Sequence, residues 1–319
     1  MPDRFAIAHH FAPATAALLS SHPLVGEIRA VDPANRWALP TDVDVIFALH
    51  GSDMASHAGA PRPAGWPGKV RFVQLASSGT DGYPDWLFDV AQVASAAGTA
   101  AIPIAEFVLA AMLAHAKRLP AMVVRDGEPW ASQAALIAAP LAGLDGKTLG
   151  LIGVGHIGVQ VAKLAAAFNM TVLAHRRSDA PSPSPDITLA SFDDVMARAD
   201  HLVIAAPLTP DTAGLIGAAA LAKVKRGIHI VNIARGGIID PEALAAALAS
   251  GQVGGASLDV TDPEPLPAGH PLWRAPNLRI TPHIAWSSAD TPRRIFKLFA
   301  DNLVRVGAGK PPLNLLHRR

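Results

Sequence analysis

Short apolar runs alternate with amphipathic or polar segments along most of the chain. In the first part of the sequence such runs occupy residues 4–8, 43–49, 70–76 and 90–94. Runs of this length that recur between helical or loop segments are typical of buried strands in a parallel sheet. The pattern therefore predicts a small α/β domain over residues 1–98.

A second α/β region follows the Gly- and Pro-containing segment 98–103. The sequence predicts a long apolar helix through residues 105–113 and a strand–helix–strand unit over residues 147–178. Further apolar runs, each followed by polar residues, lie at 202–205, 228–233, 255–260 and 278–281. Ligands bind at the carboxyl ends of parallel strands, so these polar residues are expected to converge on one rim.

The final segment, residues 291–306, has apolar positions at helical spacing. A helix there can close back onto the first domain and make that domain discontinuous. The expected division is therefore residues 1–98 plus 286–319 for one domain and residues 99–285 for the other.

Three glycines, Gly153, Gly155 and Gly158, follow the predicted strand 148–152 in G-x-G-x-x-G spacing. In this context the first glycine permits a tight turn, the second lets the backbone approach a pyrophosphate, and the third allows close packing of helix and strand. The N-terminus of the helix, with His156 and Ile157, presents N–H groups and a partial positive charge to phosphates. A dinucleotide site is expected here.

The end of the second strand of this unit indicates which dinucleotide is bound. An NAD site usually carries an Asp or Glu there, which binds the ribose 2′-hydroxyl. This chain has His175-Arg176-Arg177-Ser178 instead, without a carboxylate. Guanidinium groups bind a 2′-phosphate with charge-assisted hydrogen bonds, which predicts a preference for NADPH. The alternative is that both arginines are solvated surface residues.

Composition excludes several classes of function. The net charge of +1 argues against a general nucleic-acid or membrane-surface binder. The absence of cysteine excludes disulfides and thiolate sites, and the 13 histidines are scattered without metal-ligand spacing, so no metal is expected. The most apolar span, residues 94–116, contains Pro103 and Glu106, which favours a buried helix over a membrane span. A cytoplasmic protein is expected.

Three ionisable residues follow three of the predicted strands: Arg235, Glu264 and His283. A histidine can donate a proton near neutral pH, an adjacent carboxylate favours the imidazolium and orients the ring, and an arginine can bind a substrate carboxylate bidentately. Taken singly, each also has a structural interpretation: a surface arginine, a solvated loop glutamate and a structural histidine.

The segments around these residues resemble the signatures of the D-isomer-specific 2-hydroxyacid dehydrogenases. The similar segments are VNIARGG at 231–237, LDVTDPEPL at 258–266, TPHIA at 281–285, PLTPDT at 207–212 and Ala105-Glu106. The resemblance implies two doubly wound parallel-sheet domains, with a Rossmann cofactor domain inserted in a discontinuous flavodoxin-like substrate domain. It also implies that His283 is the catalytic acid, Glu264 its partner and Arg235 the group that binds the substrate carboxylate.

The resemblance extends the expected site beyond this trio. The expected cofactor residues are Gly153, Gly155, His156, Ile157, Gly158, His175, Arg176, Arg177, Ser178, Ala206, Pro207, Thr212, Ile233, Ala234, Asp259 and His283. The expected substrate residues are Leu49, His50, Gly51, Ser78, Gly79, Arg235, His283 and Trp286. In the family, the backbone N–H groups matching Ser78 and Gly79 hold the substrate carboxylate.

Asp259 and Trp286 also have a structural interpretation. The segment 119–146 bears on the association of two subunits. Asp259 is expected to face the nicotinamide amide, or else to be a plain loop carboxylate. Trp286 either lines the pocket or packs the interdomain joint. The segment 119–146, with Trp130, is expected to embrace a second subunit, which implies a homodimer through the cofactor domain.

Together, these observations predict a reductase that transfers hydride from NADPH to glyoxylate or hydroxypyruvate and forms the D-2-hydroxy acid. One alternative is an NAD-linked, D-lactate-type dehydrogenase of a bulkier 2-hydroxy acid. A second alternative is a nucleotide-sensing binding protein that resembles the transcriptional corepressors of this family. Formate dehydrogenases of this superfamily lack an acid partner for the histidine, so Glu264 argues against formate.

Overall fold

The computed structural model describes residues 4–51, 59–119, 137–138 and 140–316. The chain separates into two compact units, Met1–Ala100 with Ser288–Arg319, and Ala101–Ser287. The boundaries expected from the sequence lie within two residues of these. Most of the segment expected to embrace a second subunit, including Trp130, lies outside the described residues.

The described strands are β1 Phe5–His9, β2 Val25–Ala30, β3 Val45–Ala48, β4 Phe72–Leu75, β5 Gln92–Ala94, β6 Thr148–Ile152, β7 Thr171–His175, β8 Thr188–Leu189, β9 His201–Ile204, β10 Ile228–Asn232, β11 Val253–Leu258 and β12 Leu278–Ile280. The described helices are α1 Pro13–Ser20, α2 Ala101–Ala116, α3 His156–Ala167, α4 Phe192–Arg198, α5 Ala218–Leu221, α6 Pro241–Ala249 and α7 Thr291–Gly307.

The first unit is built on a five-stranded sheet in the order β2-β1-β3-β4-β5, with every described pair parallel. This is the flavodoxin-like doubly wound order, in which ligands bind at the carboxyl ends of the strands near the reversal between β1 and β3. The loops that follow β3 and β4 carry the expected substrate residues.

Helix α7 returns to this unit from the far end of the chain. Its Phe299 is fully buried and stacks on Phe47 of β3, with ring centroids 4.1 Å apart. The buried Asn302 donates from Nδ2 to Oε1 of Gln74 at 2.8 Å and accepts from the Leu313 N–H at 2.6 Å. Aromatic burial and satisfied polar groups therefore account for the inclusion of the final segment in the first unit.

The second unit contains a seven-stranded parallel sheet in the order β12-β11-β10-β9-β6-β7-β8. Counted from β6, the order is that of the Rossmann fold with one added strand, and the reversal point lies between the neighbouring strands β6 and β9. The prediction of two doubly wound parallel-sheet domains is confirmed. The carboxyl ends of β6, β7, β9, β10, β11 and β12 share one edge, which we call the rim.

Two details differ from the predicted elements. Pro103 does not precede the long helix but lies in the first turn of α2, where proline is tolerated because its missing N–H has no intrahelical partner. Strand β11 begins at Val253, two residues before the predicted start, and so includes Gly254 and Gly255. A side chain at either glycine would overlap a neighbour, the Gly227 carbonyl or the His115 ring, so these glycines serve close packing.

In the described residues no helix is both long enough and apolar enough to span a bilayer.

Candidate active site

The three glycines after β6 have distinct packing environments. Gly153 has φ +98°, and a Cβ there would lie 2.6 Å from the Ala206 nitrogen. A Cβ on Gly158 would lie 2.8 Å from the Gly153 carbonyl oxygen. Only glycine fits at these two positions. At Gly155 a Cβ would meet nothing within 4 Å, so open space adjoins the start of α3.

Helix α3 begins at this open space without a side-chain cap on Gly155. The N–H groups of a first helical turn have no intrahelical acceptor, and together with the helix dipole they attract anions. The arrangement fits a dinucleotide pyrophosphate, which needs close backbone approach and uncapped donors.

A fourth glycine, Gly150 in β6, contributes to the same unit. A Cβ there would lie 2.8 Å from the Ala199 Cβ and 2.9 Å from a Val195 methyl group, so glycine lets α4 pack tightly on the sheet. Its role could not be foreseen from the sequence, because its contacts come from a helix about 45 residues further along the chain.

The two arginines at the end of β7 lie beside the glycine turn, since the Gly153 N–H donates to the His175 carbonyl at 2.9 Å. Arg177 forms an exposed ion pair with Asp211, with 2.8 Å between Nη1 and Oδ2. Arg176 donates from Nη1 to the Pro181 carbonyl at 3.4 Å. Exposed pairs of this kind contribute about 1 kcal/mol or less, so a ligand phosphate can displace them.

The loop after β9 packs against the glycine turn through Ala206, which is buried. The Thr212 hydroxyl donates to the Pro207 carbonyl at 2.7 Å and accepts from the Thr209 N–H at 2.8 Å. The hydroxyl thus stabilises its own loop, and the predicted contact of Thr212 with the cofactor stays a prediction.

Arg235 follows β10 in a short turn fixed by Asn232. The buried Asn232 accepts from the Ala234 N–H at 3.1 Å and donates to the Arg235 carbonyl at 2.9 Å. A Cβ on Gly236 would overlap the Thr261 carbonyl group, so the Arg235 turn packs directly on the loop that carries Glu264. Asn232 was not foreseen from the sequence. Its signal was a polar residue at the end of a mostly apolar strand.

His283 and Glu264 form a close pair at the rim. Nδ1 of His283 lies 2.7 Å from Oε1 of Glu264, and the two side chains are 28% and 31% exposed. An ionised carboxylate only accepts hydrogen bonds, so the Nδ1 atom carries the donated proton and Nε2 is left for a ligand. The Thr261 N–H also donates weakly to Oε2 of Glu264, at 3.4 Å.

The electrostatics of the pair keep Glu264 ionised. Burial raises the pKa of the Glu264 carboxyl, but the hydrogen bond and charge of His283, the Thr261 N–H and the charge of Arg235 outweigh it. The net result is a pKa below the usual value. The Glu264 carboxylate is therefore ionised at neutral pH. Its stabilising negative charge is lost as the pH falls through this lowered pKa.

The backbone around His283 is fixed by Asp259, which is 2% exposed. Oδ1 of Asp259 accepts from the Thr281 hydroxyl at 2.6 Å and from the Ile284 N–H at 2.9 Å, and Oδ2 accepts from the Ala285 N–H at 2.9 Å. His283 itself has φ +53°, a conformation uncommon for a residue other than glycine. In the structure Asp259 stabilises the backbone on both sides of His283. Its predicted contact with the nicotinamide stays a prediction.

Trp286 supports the same segment, because its indole Nε1 donates to the His283 carbonyl at 2.8 Å. Trp286 is 44% exposed and is therefore not part of a hydrophobic core.

In the first unit, the backbone of Leu49 is held from both sides. Its N–H donates to Nδ1 of His10 at 3.0 Å, and its carbonyl accepts from Nη1 of Arg36 at 2.7 Å. Nε2 of His10 lies 2.9 Å from the Arg36 carbonyl, and burial lowers the pKa of His10 to about 4, so the ring is neutral. His10 and Arg36 were not foreseen, because neither is adjacent to Leu49 in sequence.

The expected substrate residues of this unit follow β3 and β4. His50 bonds through Nδ1 to the Gly51 carbonyl at 2.8 Å and packs edge-on against Tyr83. In the described part of the chain, the N–H groups of Ser78 and Gly79 have no hydrogen-bond acceptor. Adjacent backbone donors of this kind can hold a carboxylate.

The structure thus brings Arg235, Glu264 and His283 together with the glycine turn on the rim of the second unit. Leu49, His50, Gly51, Ser78 and Gly79 lie at strand ends of the first unit. Across the described residues, no group of three or more His, Cys, Asp or Glu side chains is arranged to hold a metal ion.

Comparison with known proteins identifies the family of this chain. Residues 109–285 match the D-isomer specific 2-hydroxyacid dehydrogenase, NAD binding domain. A glyoxylate reductase from Aeropyrum pernix is 37% identical over 220 residues, 67% of this chain and 66% of that protein. A glycerate dehydrogenase from Methylorubrum extorquens is 32% identical over 287 residues, 85% of this chain and 88% of that protein. The chain spans about two thirds of the length of the glyoxylate reductase.

A solved structure is similar over nearly the whole chain. It is a D-isomer specific 2-hydroxyacid dehydrogenase from Xanthobacter autotrophicus Py2 in complex with NADPH and MES, 27% identical, with a TM-score of 0.78 over 98% of each chain. The match of more than half of the chain to the family, and the 32% identity over 85% of it, confirm the resemblance seen in the sequence. This chain belongs to the D-isomer specific 2-hydroxyacid dehydrogenase family.

Proposed function

We propose that the protein is a nicotinamide-dependent reductase that converts a small 2-keto acid to the D-2-hydroxy acid. The observation that carries the proposal is the 2.7 Å pair of His283 and Glu264 on the rim, with Arg235 close enough for its charge to lower the pKa of Glu264. Reduction of a carbonyl group needs a hydride at carbon and a proton at oxygen. The dinucleotide supplies the hydride, and the residues of this chain supply the rest.

His283 provides the proton. Glu264 fixes the Nδ1–H of the ring, so the proton for the substrate is held at Nε2 and passes from there to the carbonyl oxygen. The ionised Glu264 stabilises the imidazolium before the transfer and keeps the ring oriented during it. In the reverse direction the neutral Nε2 accepts the hydroxyl proton, so the same pair serves oxidation.

Arg235 binds the carboxylate of the keto acid. A guanidinium forms two parallel hydrogen bonds with a carboxylate, which fixes the position of the neighbouring carbonyl carbon. Its positive charge also stabilises the negative charge that develops on the carbonyl oxygen.

Asp259 acts through His283 as a positioning residue. Its carboxylate fixes the Thr281 hydroxyl and the N–H groups of Ile284 and Ala285, which bracket His283. Catalytic geometry must hold to within about 0.5 Å, and a segment with a positive φ keeps that geometry only when its surroundings define it.

Glyoxylate and hydroxypyruvate are the proposed substrates. The similarity to a glyoxylate reductase and to a glycerate dehydrogenase supports this choice. NADPH is the proposed cofactor because Arg176 and Arg177 stand where an NAD site carries a carboxylate.

Replacing His283 with alanine tests the mechanism. His283→Ala removes the proton donor and is expected to lower kcat by about 10²- to 10⁴-fold. The Kd for NADPH, measured by fluorescence, should stay close to that of the wild type. Turnover at the wild-type rate would refute the assignment of the acid.

A matched pair of glutamate variants tests the role of Glu264. Glu264→Gln removes the negative charge beside the imidazolium, so kcat should fall and the reduction rate should decline at a lower pH than in the wild type. Glu242→Gln changes an exposed glutamate of α6 and should leave the pH profile unchanged. Identical pH profiles for Glu264→Gln and the wild type would contradict the pairing.

Hydrogen exchange tests the supporting role of Asp259. Asp259→Asn puts an amide donor next to the N–H donors, and loss of a buried charged acceptor costs about 1–3 kcal/mol. The Ile284 and Ala285 amides should therefore exchange about 10- to 100-fold faster. Asp262→Asn, at an exposed loop position, serves as the control. Unchanged exchange at both amides would show that Asp259 does not stabilise this segment.

Charge reversal at the end of β7 tests the cofactor preference. Arg176→Asp should repel a 2′-phosphate and lower kcat/KM for NADPH relative to NADH by about 10- to 100-fold, since hydrogen bonds to charged groups contribute about 1.5–3 kcal/mol. Arg274→Asp, at an exposed arginine of the same unit, should leave the ratio unchanged. An unaltered ratio in Arg176→Asp would refute the phosphate clamp.

A further inference from the structure

The second unit contains a large cavity at the edge of the sheet opposite the rim. Its volume is about 760 Å³, and its wall includes the residues at which strands begin: Lys147 before β6, His201 in β9, Ile228 in β10 and Leu278 in β12. The proposed catalytic residues all follow strand ends. A strand of five residues spans roughly 16 Å, so the cavity is distinct from the rim.

The wall of this cavity is strongly cationic. It contains five cationic side chains and one carboxylate: Arg118, Lys147, Lys225, Arg226, Arg279 and Asp200. The lining thus has a net charge of +4 in a chain whose total is +1. Helix α2 ends at Ala116 in the same wall, and its C-terminus contributes only about half a negative charge. Compensation of the helix dipole therefore does not account for the cations.

Among the described residues, three of these cationic side chains have partners and two do not. Lys225 pairs with Asp200 at 3.0 Å, while Arg226 and Arg279 donate to the carbonyls of Ser250 and Ala114 at 2.8 and 3.3 Å. Arg118 and Lys147 are exposed, and their side chains have no hydrogen-bond or ion-pair partner within the described part of the chain. Arg226 and Arg279 each use one nitrogen to bind a carbonyl and so retain further N–H donors. These cationic side chains therefore offer more hydrogen-bond donors than the partners described above accept.

We propose that this cavity is a binding site for a small multivalent oxyanion, one that carries two or more phosphate or carboxylate groups. Several cations that converge on one concave surface can satisfy such a ligand, and arginine forks match both groups bidentately. The volume falls within the range of small-molecule sites, about 300–1,000 Å³, and exceeds what a single phosphate needs. The inference does not depend on the proposed reductase activity.

A cluster of three histidines adjoins the cavity and gives the site a measurable signature. The ring of His115, in the wall, stacks on His229 with centroids 4.2 Å apart, and Nδ1 of His229 lies 3.3 Å from Nδ1 of His201. Burial, followed by the charges of Arg279 and Arg118, lowers the pKa of His115. Burial also lowers the pKa of His229, and that of His201 to about 4.

A bound anion changes this balance in one direction. It offsets the charges of Arg279 and Arg118, which lower the pKa of His115 less than burial does, and the charge of Lys147, which opposes Asp200 at His201. The pKa values of His115 and His201 therefore rise when the anion binds, although burial still holds them below the ordinary value. The protein then takes up protons when the anion binds, and the affinity rises as the pH falls from neutral toward the histidine pKa values.

Calorimetric titration of the full-length wild-type chain with pyrophosphate and with citrate, against chloride at equal ionic strength, tests the proposal. Saturable binding is expected for at least one probe. The comparison of pyrophosphate with citrate distinguishes a site for phosphate groups from a site for carboxylate groups. Absence of saturable binding of both probes would overturn the proposal.

Two double variants locate the binding. Arg118→Gln with Lys147→Gln removes the two unpartnered cations and should weaken binding by about tenfold or more, with kcat unchanged. Lys163→Gln with Arg198→Gln changes one exposed lysine and one exposed arginine of the same unit outside the cavity and should have no effect. Equal affinities in the two double variants would overturn the proposal.

Saturation with NADPH provides the last control, because pyrophosphate can also bind at the start of α3. Binding that persists in saturating NADPH belongs to the cavity. Binding that NADPH abolishes and that the Arg118–Lys147 double variant retains belongs to the glycine turn, and it would overturn the proposal.

Discussion

The carboxylate of Asp259 accepts three hydrogen bonds from the segment 281–285, and the chemistry of the rim depends on that interaction. The segment places His283 in a left-handed conformation that the chain would not adopt unsupported. Its position lets Nδ1 meet Glu264 at 2.7 Å and leaves Nε2 free to exchange a proton with a ligand. A buried charge with good donors on both oxygens is stable, whereas the same charge without donors would be strongly destabilising.

Close backbone packing is the second constraint on the rim. Gly153 lies against Ala206, Gly158 against Gly153, and Gly236 against Thr261. These contacts leave no room for a Cβ and bring the loops that follow β6, β9, β10 and β11 within reach of one ligand. The parallel order of the sheet supplies the common edge, and the glycines let the loops that follow the strands pack closely together there. At the opposite edge of the sheet the chain leaves an open cavity, which is lined by cationic side chains and adjoins histidines with lowered pKa values.

Local signals in the sequence were sufficient for the central unit and the fold class. The β6–α3–β7 unit follows from an apolar run, three spaced glycines and a second run, and its first strand is observed at the predicted residues 148–152. The catalytic trio was identifiable because each member follows an apolar run inside a motif of the family. Strand β2 was missed because Glu27 and Arg29 interrupt its apolar residues, as suits a strand at the edge of a sheet.

Other features depend on contacts between distant segments, which no local pattern reveals. The hydrogen bonds of the Leu49 backbone with His10 and Arg36 connect three segments that are distant in sequence. The histidine cluster arises because α2, β9 and β10 meet at the amino edge of the sheet, so the scattered histidines of the sequence did not indicate it. Asp259 was visible as a polar residue at a strand end, but its partners became known only with the path of the segment 281–285.

The most direct test of the account is the absorbance of the reduced nicotinamide during incubation of the purified protein with glyoxylate, hydroxypyruvate, pyruvate and phenylpyruvate, each with NADPH and with NADH. The account predicts that NADPH is oxidised faster than NADH and that the two small polar acids, glyoxylate and hydroxypyruvate, react fastest. No oxidation of either cofactor with any of the four acids would contradict the assignment of the rim as a 2-keto acid reductase site.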